Sequence, residues 1–185
     1  MKKWLTTLVL LAAALFSLAA QDNPYGIDPE CHKLLEEAMH LEGKIGFDSA
    51  NSELLSKAIE KGDTKAQTLY YVERLKNATA LLKDKKNTTQ AEDENVLKYM
   101  EDLKRVASDL GETKFFYQAY DIVQSYYYIH GKLVHTMELL QDMREQAVAR
   151  KESYGIWMGN RYIISLYIAQ NDYISAKKYI KEAIR

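Results

Sequence analysis

The chain has 185 residues, in which 25 lysines and arginines face 26 aspartates and glutamates for a formal net charge of −1. That balance excludes the basic footprint of a nucleic-acid binder, and a single cysteine, Cys31, excludes an internal disulfide. With 47% hydrophobic residues, the length suffices for one ordinary domain with a real core.

The N-terminus carries an address. "MKKW" supplies two lysines, "LTTLVLLAAALFSLAA" is an uncharged apolar run, and Asn23 and Pro24 break it. A basic start, an apolar middle and small residues at the end make a secretory signal peptide over 1–20. Ser17 and Ala19 fit the small-x-small rule, which makes Ala20 the first mature residue, and a cut after Ala20 is the alternative. The run falls just short of the ~20 apolar residues of a spanning helix, so an uncleaved anchor is the competing reading. Loss of Lys2 and Lys3 would take the balance to 23 against 26, a mildly acidic exported chain at −3. Cys31 is expected to be a buried small hydrophobe.

Residues 21–30 read as an extended segment. Beyond Pro29 the chain has no proline, which permits uninterrupted helices. Turn residues divide it instead: "EGKIGFDSAN" (42–51), "KGD" (61–63), "KDKKNTTQ" (83–90), "GE" (111–112), "HGK" (130–132), "ESYG" (152–155) and "QND" (170–172). Helices are predicted over 31–42, 50–61, 64–83, 91–110, 113–130, 133–151, 155–170 and 173–185, an all-α fold. Val96, Leu97, Met100, Leu103, Val106, Ala107 and Leu110 recur at threes and fours, giving helix 91–110 one buried stripe. Helix 113–130, "FFYQAYDIVQSYYYI", is apolar or aromatic around most of its circumference and must be covered on more than one side. Gly131 is expected to end it in a left-handed cap.

An offset of 40 residues aligns the last two helix pairs. Tyr120, Val123 and Tyr127 fall against Asn160, Ile163 and Tyr167, and Thr136, Leu140 and Met143 against Ala176, Ile180 and Ala183. One helix pair cannot bury both of its apolar faces, so stacking of such pairs is expected.

At this point the residues resemble a known family. "NDYISAKKYIKEAI" (171–184) resembles the turn and second helix of a tetratricopeptide repeat, with Ala176 and Ala183 at the close-packing positions. "YDIVQSYYYIHGKLVHTMELLQDM" (120–143) is a looser likeness, with Gln124 and Thr136 where small residues are usual. The stretch 54–74 is looser still, with Gln67 and Arg74 there. The clearest repeats are 117–150 and 157–185, within a helical region 31–185. The resemblance implies stacked antiparallel helix pairs in a right-handed superhelix, although the offset exceeds the family's ~34 residues. Over the exported chain, "NPYGID", "ALLKD" and "ESYGIWMGNRYIISLYIAQ" also resemble the periplasmic leading region of bacterial membrane sensors. In those proteins a transmembrane helix and a histidine kinase or helix-turn-helix output follow. The resemblance therefore implies a truncated receptor, attached to a membrane only through a segment after Arg185. A self-standing periplasmic adaptor is the other reading.

The chemistry is sparse. No catalytic, phosphate-binding or dinucleotide motif occurs, so neither an enzyme nor a cofactor is expected. His32 and His40 on one helix lie about 12 Å apart, too far to share a metal ion. His130 and His135 flank a turn and are expected to be solvated, and no metal site is expected. Tyr120, Tyr127, Tyr167 and Tyr179 are expected between helices, with their hydroxyls at the edge. "DSA" (48–50) resembles a bacterial O-glycosylation signal at Ser49 and is expected in a loop. By the family likeness the concave, ligand-binding face carries Gln118, Asp121, Ser125 and Tyr128 in one repeat, and Arg161, Ser165 and Ile168 in the next. The implied partner is a protein or peptide. Self-association through the last helix is also expected, since Ile180 and Ile184 share a face there with Ala176.

Overall fold

The computed structural model describes residues 23–183. Among them the fold is all-α: α1 (Pro29–His40), α2 (Phe47–Lys61), α3 (Thr64–Ala80), α4 (Gln90–Asp109), α5 (Thr113–Ile129), α6 (Leu133–Arg150), α7 (Ser153–Ala169) and α8 (Tyr173–Ala183). No described helix is long and apolar enough to cross a membrane. The signal peptide expected over 1–20, Ile184 and Arg185 lie outside the described residues. The helices form two compact units, divided within α3 between Tyr70 and Tyr71.

In the first unit α1 packs on α2. The described part of the segment before α1 contains a turn at 24–25. Gly26 N–H donates to the Asn23 carbonyl at 3.1 Å, and the Asn23 amide donates to the Ile27 carbonyl at 2.7 Å. Asp28 caps α1 by accepting from Glu30 N–H at 2.9 Å, so the helix starts at Pro29. Proline suits that first helical position because no N–H is needed there. Cys31 is fully buried, as expected. Helix α2 begins three residues before the expected start, at Phe47, because Phe47, Ala50 and Asn51 bury one side of its first turns. Asp48-Ser49-Ala50 is therefore helical, which corrects the expected loop. At the start of α3, Ala66 is buried and Gln67 only half-buried, so the small residue stands one place before the position taken from the repeat likeness.

The second unit is a stack in which α4 packs on α5, α5 on α6, α6 on α7 and α7 on α8. Its joints repeat. Gly111, Gly131, Lys151 and Asn171 have φ of 75°, 69°, 57° and 60°, at intervals of twenty residues. At each, the next N–H donates back to a carbonyl five residues earlier: Glu112 to Ala107 at 2.7 Å, Lys132 to Tyr127, Glu152 to Ala147 and Asp172 to Tyr167 at 2.9 Å. The left-handed residue itself donates to a carbonyl three residues earlier, with Gly131 to Tyr128 at 3.0 Å. This pair of bonds is the Schellman motif, which satisfies carbonyls that a helix end leaves open. The 40-residue offset thus consists of two equal helix-and-turn steps. The aromatic helix α5 buries Phe115, Phe116, Tyr117, Tyr120, Val123, Tyr126 and Tyr127 between α4 and α6.

These turns isolate backbone strain from packing. A Cβ added at Gly131 meets nothing within 4 Å. Gly131→Val should cost about 1–2 kcal/mol from the left-handed conformation alone, and Gly131→Asn less. The reverse change, Lys151→Gly, should gain stability by several tenths of a kcal/mol. Urea midpoints check both signs. Equal midpoints for all three variants would remove the shared turn as a determinant of the stack.

Candidate functional site

Hydroxyl-to-carboxylate contacts hold the second unit in register. Tyr120 Oη donates to Asp142 at 2.6 Å, Tyr126 Oη to Asp93 at 2.7 Å, Tyr117 Oη to Glu152 and Tyr162 Oη to Asp121. Burial, followed by the adjacent carboxylate, pushes the phenols of Tyr117, Tyr120 and Tyr162 well above the usual tyrosine range. They remain neutral donors. Tyr120 and Tyr127 are buried, while Tyr167 and Tyr179 lie tilted to one another with ring centres 6.3 Å apart. Tyr117 and Tyr126, both fully buried, were not singled out from the sequence, since only their distant carboxylates mark them.

His130 differs from its expected solvated state. Its Nδ1 lies 2.8 Å from the Tyr126 carbonyl, its Nε2 lies 3.1 Å from the Leu82 carbonyl, and its ring packs tilted against Tyr126 with centres 4.7 Å apart. It ties the α5 end to the loop before α4. His135 is exposed, and its ring lies tilted to that of Tyr127 with centres 5.5 Å apart. No group of three or more His, Cys, Asp and Glu able to hold a metal ion occurs among the described residues.

Two concavities flank α7. The first, of about 360 Å³, lies between α5, α6 and α7 and is lined by Gln124, Tyr128, Thr136, Leu140, Tyr162, Ser165, Leu166 and Ala169. Leu140 and Leu166 are buried within it, and none of the lining side chains carries a formal charge. Tyr128 stands at its rim, 48% exposed. The second, of about 450 Å³, lies between α7 and α8 and includes Ile156, Trp157, Asn160, Arg161, Ile164 and Ala183.

The residues expected on a concave face separate accordingly. Tyr128 and Ser165 line the first groove, and Arg161 lines the second. Gln118, Asp121, Ser125 and Ile168 line neither. Asp121 is occupied by the Tyr162 hydroxyl and Ser125 by the Gln124 amide at 2.8 Å, while Ile168 is exposed. Gln124, Thr136 and Leu140 were read as packing positions, yet they line the first groove. Gln124 carried a signal, as a polar residue where the repeat likeness has a small one.

No protein-family model, curated protein or solved structure matches this chain.

Proposed function

We propose that this chain is an exported helical-repeat domain that binds a protein or peptide, as the periplasmic sensory part of a signal-transduction receptor. The observation that carries the binding reading is the uncharged groove between α5, α6 and α7, lined by Tyr128 and Ser165 together with Leu140 and Leu166. Its volume falls in the ~300–1,000 Å³ range of ligand sites. An apolar floor with amide and hydroxyl groups at the rim suits an uncharged side chain, with the adjoining peptide backbone held by Gln124 and Ser165. Export rests on the leading segment "MKKWLTTLVLLAAALFSLAA", and the receptor context on the resemblance of the exported chain to sensor proteins.

A displayed-peptide selection against the parent chain, followed by calorimetry, tests the groove. Selected peptides should share one uncharged apolar residue. Ser165→Trp, which fills the groove, and Tyr128→Ala, which removes its rim, should each weaken them about tenfold or more, a loss typical of central binding residues. Circular dichroism should show both variants folded. Peptides that bind both variants as tightly as the parent would place binding elsewhere.

A further inference from the structure

Half-buried His130 caps α5, and both of its ring nitrogens face carbonyl oxygens. Nδ1 lies 2.8 Å from the Tyr126 carbonyl, in the last turn of α5. Nε2 lies 3.1 Å from the carbonyl of Leu82, in the loop 81–89 between α3 and α4. A carbonyl accepts and cannot donate, whereas a neutral imidazole has one N–H and one bare lone pair. Whichever tautomer it takes, a neutral ring therefore sets a lone pair against a carbonyl oxygen. Only the imidazolium, with two N–H groups, satisfies both contacts. The surroundings suit its charge. The ring sits at the negative end of the α5 dipole and against the Tyr126 ring, with centres 4.7 Å apart.

The neighbouring titratable groups are engaged elsewhere or balanced. On α4, Asp93 accepts from Tyr126 Oη, Thr88 and Lys132, and Glu92 pairs with Lys85. Burial holds the phenols of Tyr126 and Tyr127 above the usual tyrosine range, so they stay neutral. Next to Leu82, exposed Lys83 and Asp84 carry opposite charges, and Lys86 follows them. Histidine changes charge within about pH 5 to 8, so exposed His135, which lies against Tyr127, is the natural control. The loop itself has little cover, since residues 83–87 are exposed. The Leu82 carbonyl that meets His130 also accepts from Lys85 N–H at 3.0 Å, so the histidine contact closes on the loop's own turn. A second tie runs from Lys132 Nζ to Thr88 Oγ1 at 2.6 Å.

We infer that His130 is a proton-operated latch between the α3–α4 loop and the end of α5. As imidazolium it bonds both carbonyls and holds the loop down. On losing a proton it keeps the shorter bond, to Tyr126, and releases Leu82. The bond given up is a charge-assisted one, stronger than a neutral pair. Because the folded chain favours the protonated ring, the latch contributes stability at the acidic end of the histidine range. That contribution is lost as the pH rises.

Nuclear magnetic resonance of the isotope-labelled full chain, at about pH 5 and about pH 8, tests the latch at the two ends of that range. At the lower pH the His130 ring should carry two protons, with couplings through hydrogen bonds to the Tyr126 and Leu82 carbonyls. At the higher pH it should carry one. Backbone order parameters over 83–86 should fall with that proton, from about 0.85 to below about 0.6. In His130→Gln they should be low at both pH values, and in His135→Gln they should follow the parent. A ring with one proton at the lower pH or two at the higher, or a loop equally rigid at both, would overturn the inference. Both results are read on the parent chain alone, so they decide even where a variant fails to fold. A fall that persists in His130→Gln, or disappears in His135→Gln, would overturn it as well, since another group would then work the loop.

Discussion

Gly155→Ala should destabilise the chain by about 1–3 kcal/mol or more, the range for overfilling a packed interior. In an ordinary exposed helix the same change would stabilise by about 1 kcal/mol. The sign reverses here because the added Cβ would lie 2.3 Å from the Tyr117 ring and 2.7 Å from Ala147 Cβ. The ring has nowhere to go. Its hydroxyl is held by Glu152, and its centre lies 5.1 Å from that of Phe116 and 6.0 Å from that of Tyr154, in edge-to-face pairs. Relief must therefore come from moving α7 away from α5 and α6. In a Tyr117→Leu background the clash with the ring disappears while that with Ala147 Cβ stays, so Gly155→Ala should still cost stability there but less than in the parent, a non-additivity expected of residues in contact. Urea unfolding of the four chains measures it. A parent chain that gains stability from Gly155→Ala would contradict the close approach of these helices.

The second large effect belongs to Asp93, in the first turn of α4. Its carboxylate accepts from Tyr126 Oη at 2.7 Å, from Thr88 Oγ1 at 3.0 Å and from Lys132 Nζ, so it joins α4, α5 and the turn into α6. Burial alone would raise its pKa. The bonds from Lys132, Tyr126 and Thr88 outweigh burial and hold it below the ordinary aspartate value of 3.8. A carboxyl whose folded pKa is depressed contributes stability above its unfolded pKa. That contribution is lost as pH falls through the folded value. Asp93→Asn should therefore cost about 1–3 kcal/mol at pH 7, where it weakens three bonds and leaves Lys132 without its counter-charge. The gap between variant and parent should narrow as the pH is lowered through 3.8 and below. Unfolding at pH 7 and at pH 3 checks both halves, and a gap that stays constant would remove the carboxylate's charge from the explanation.

How much of this could be read from residues depends on how local the cause is. Gly131 announced its turn because glycine adopts a left-handed backbone without strain, and "ND" at 171–172 did so through asparagine and a capping aspartate. Asp172 accepts from Ser175 N–H at 3.0 Å. Lys151 adopts the same conformation, with φ of 57°, although lysine gives no such signal; only the register with its neighbours marks it. Gly155 misled in the opposite direction. It reads as a turn residue but lies inside α7, and it is there because Tyr117 leaves no room for a Cβ. The same holds for Phe47, which stands among turn residues in the sequence yet opens α2 because its ring is buried. The tyrosine–carboxylate contacts were beyond local reading altogether. They join residues 22 to 41 positions apart, and no periodicity within one helix selects the partner. For the groove, the family likeness placed Tyr128 and Ser165 on a binding face, but not Leu140 or Leu166, whose apolar side chains look like any other core residue.

Amide hydrogen exchange of the full chain, with and without a selected peptide, tests the binding surface most directly. Helix amides that a ligand shields should slow around Gln124–Tyr128 on α5 and Tyr162–Ala169 on α7, while α1 and α2 stay unchanged. Protection confined to α1 and α2, or absent from both groove segments at saturating peptide, would contradict the assignment of the α5–α7 groove as the ligand site.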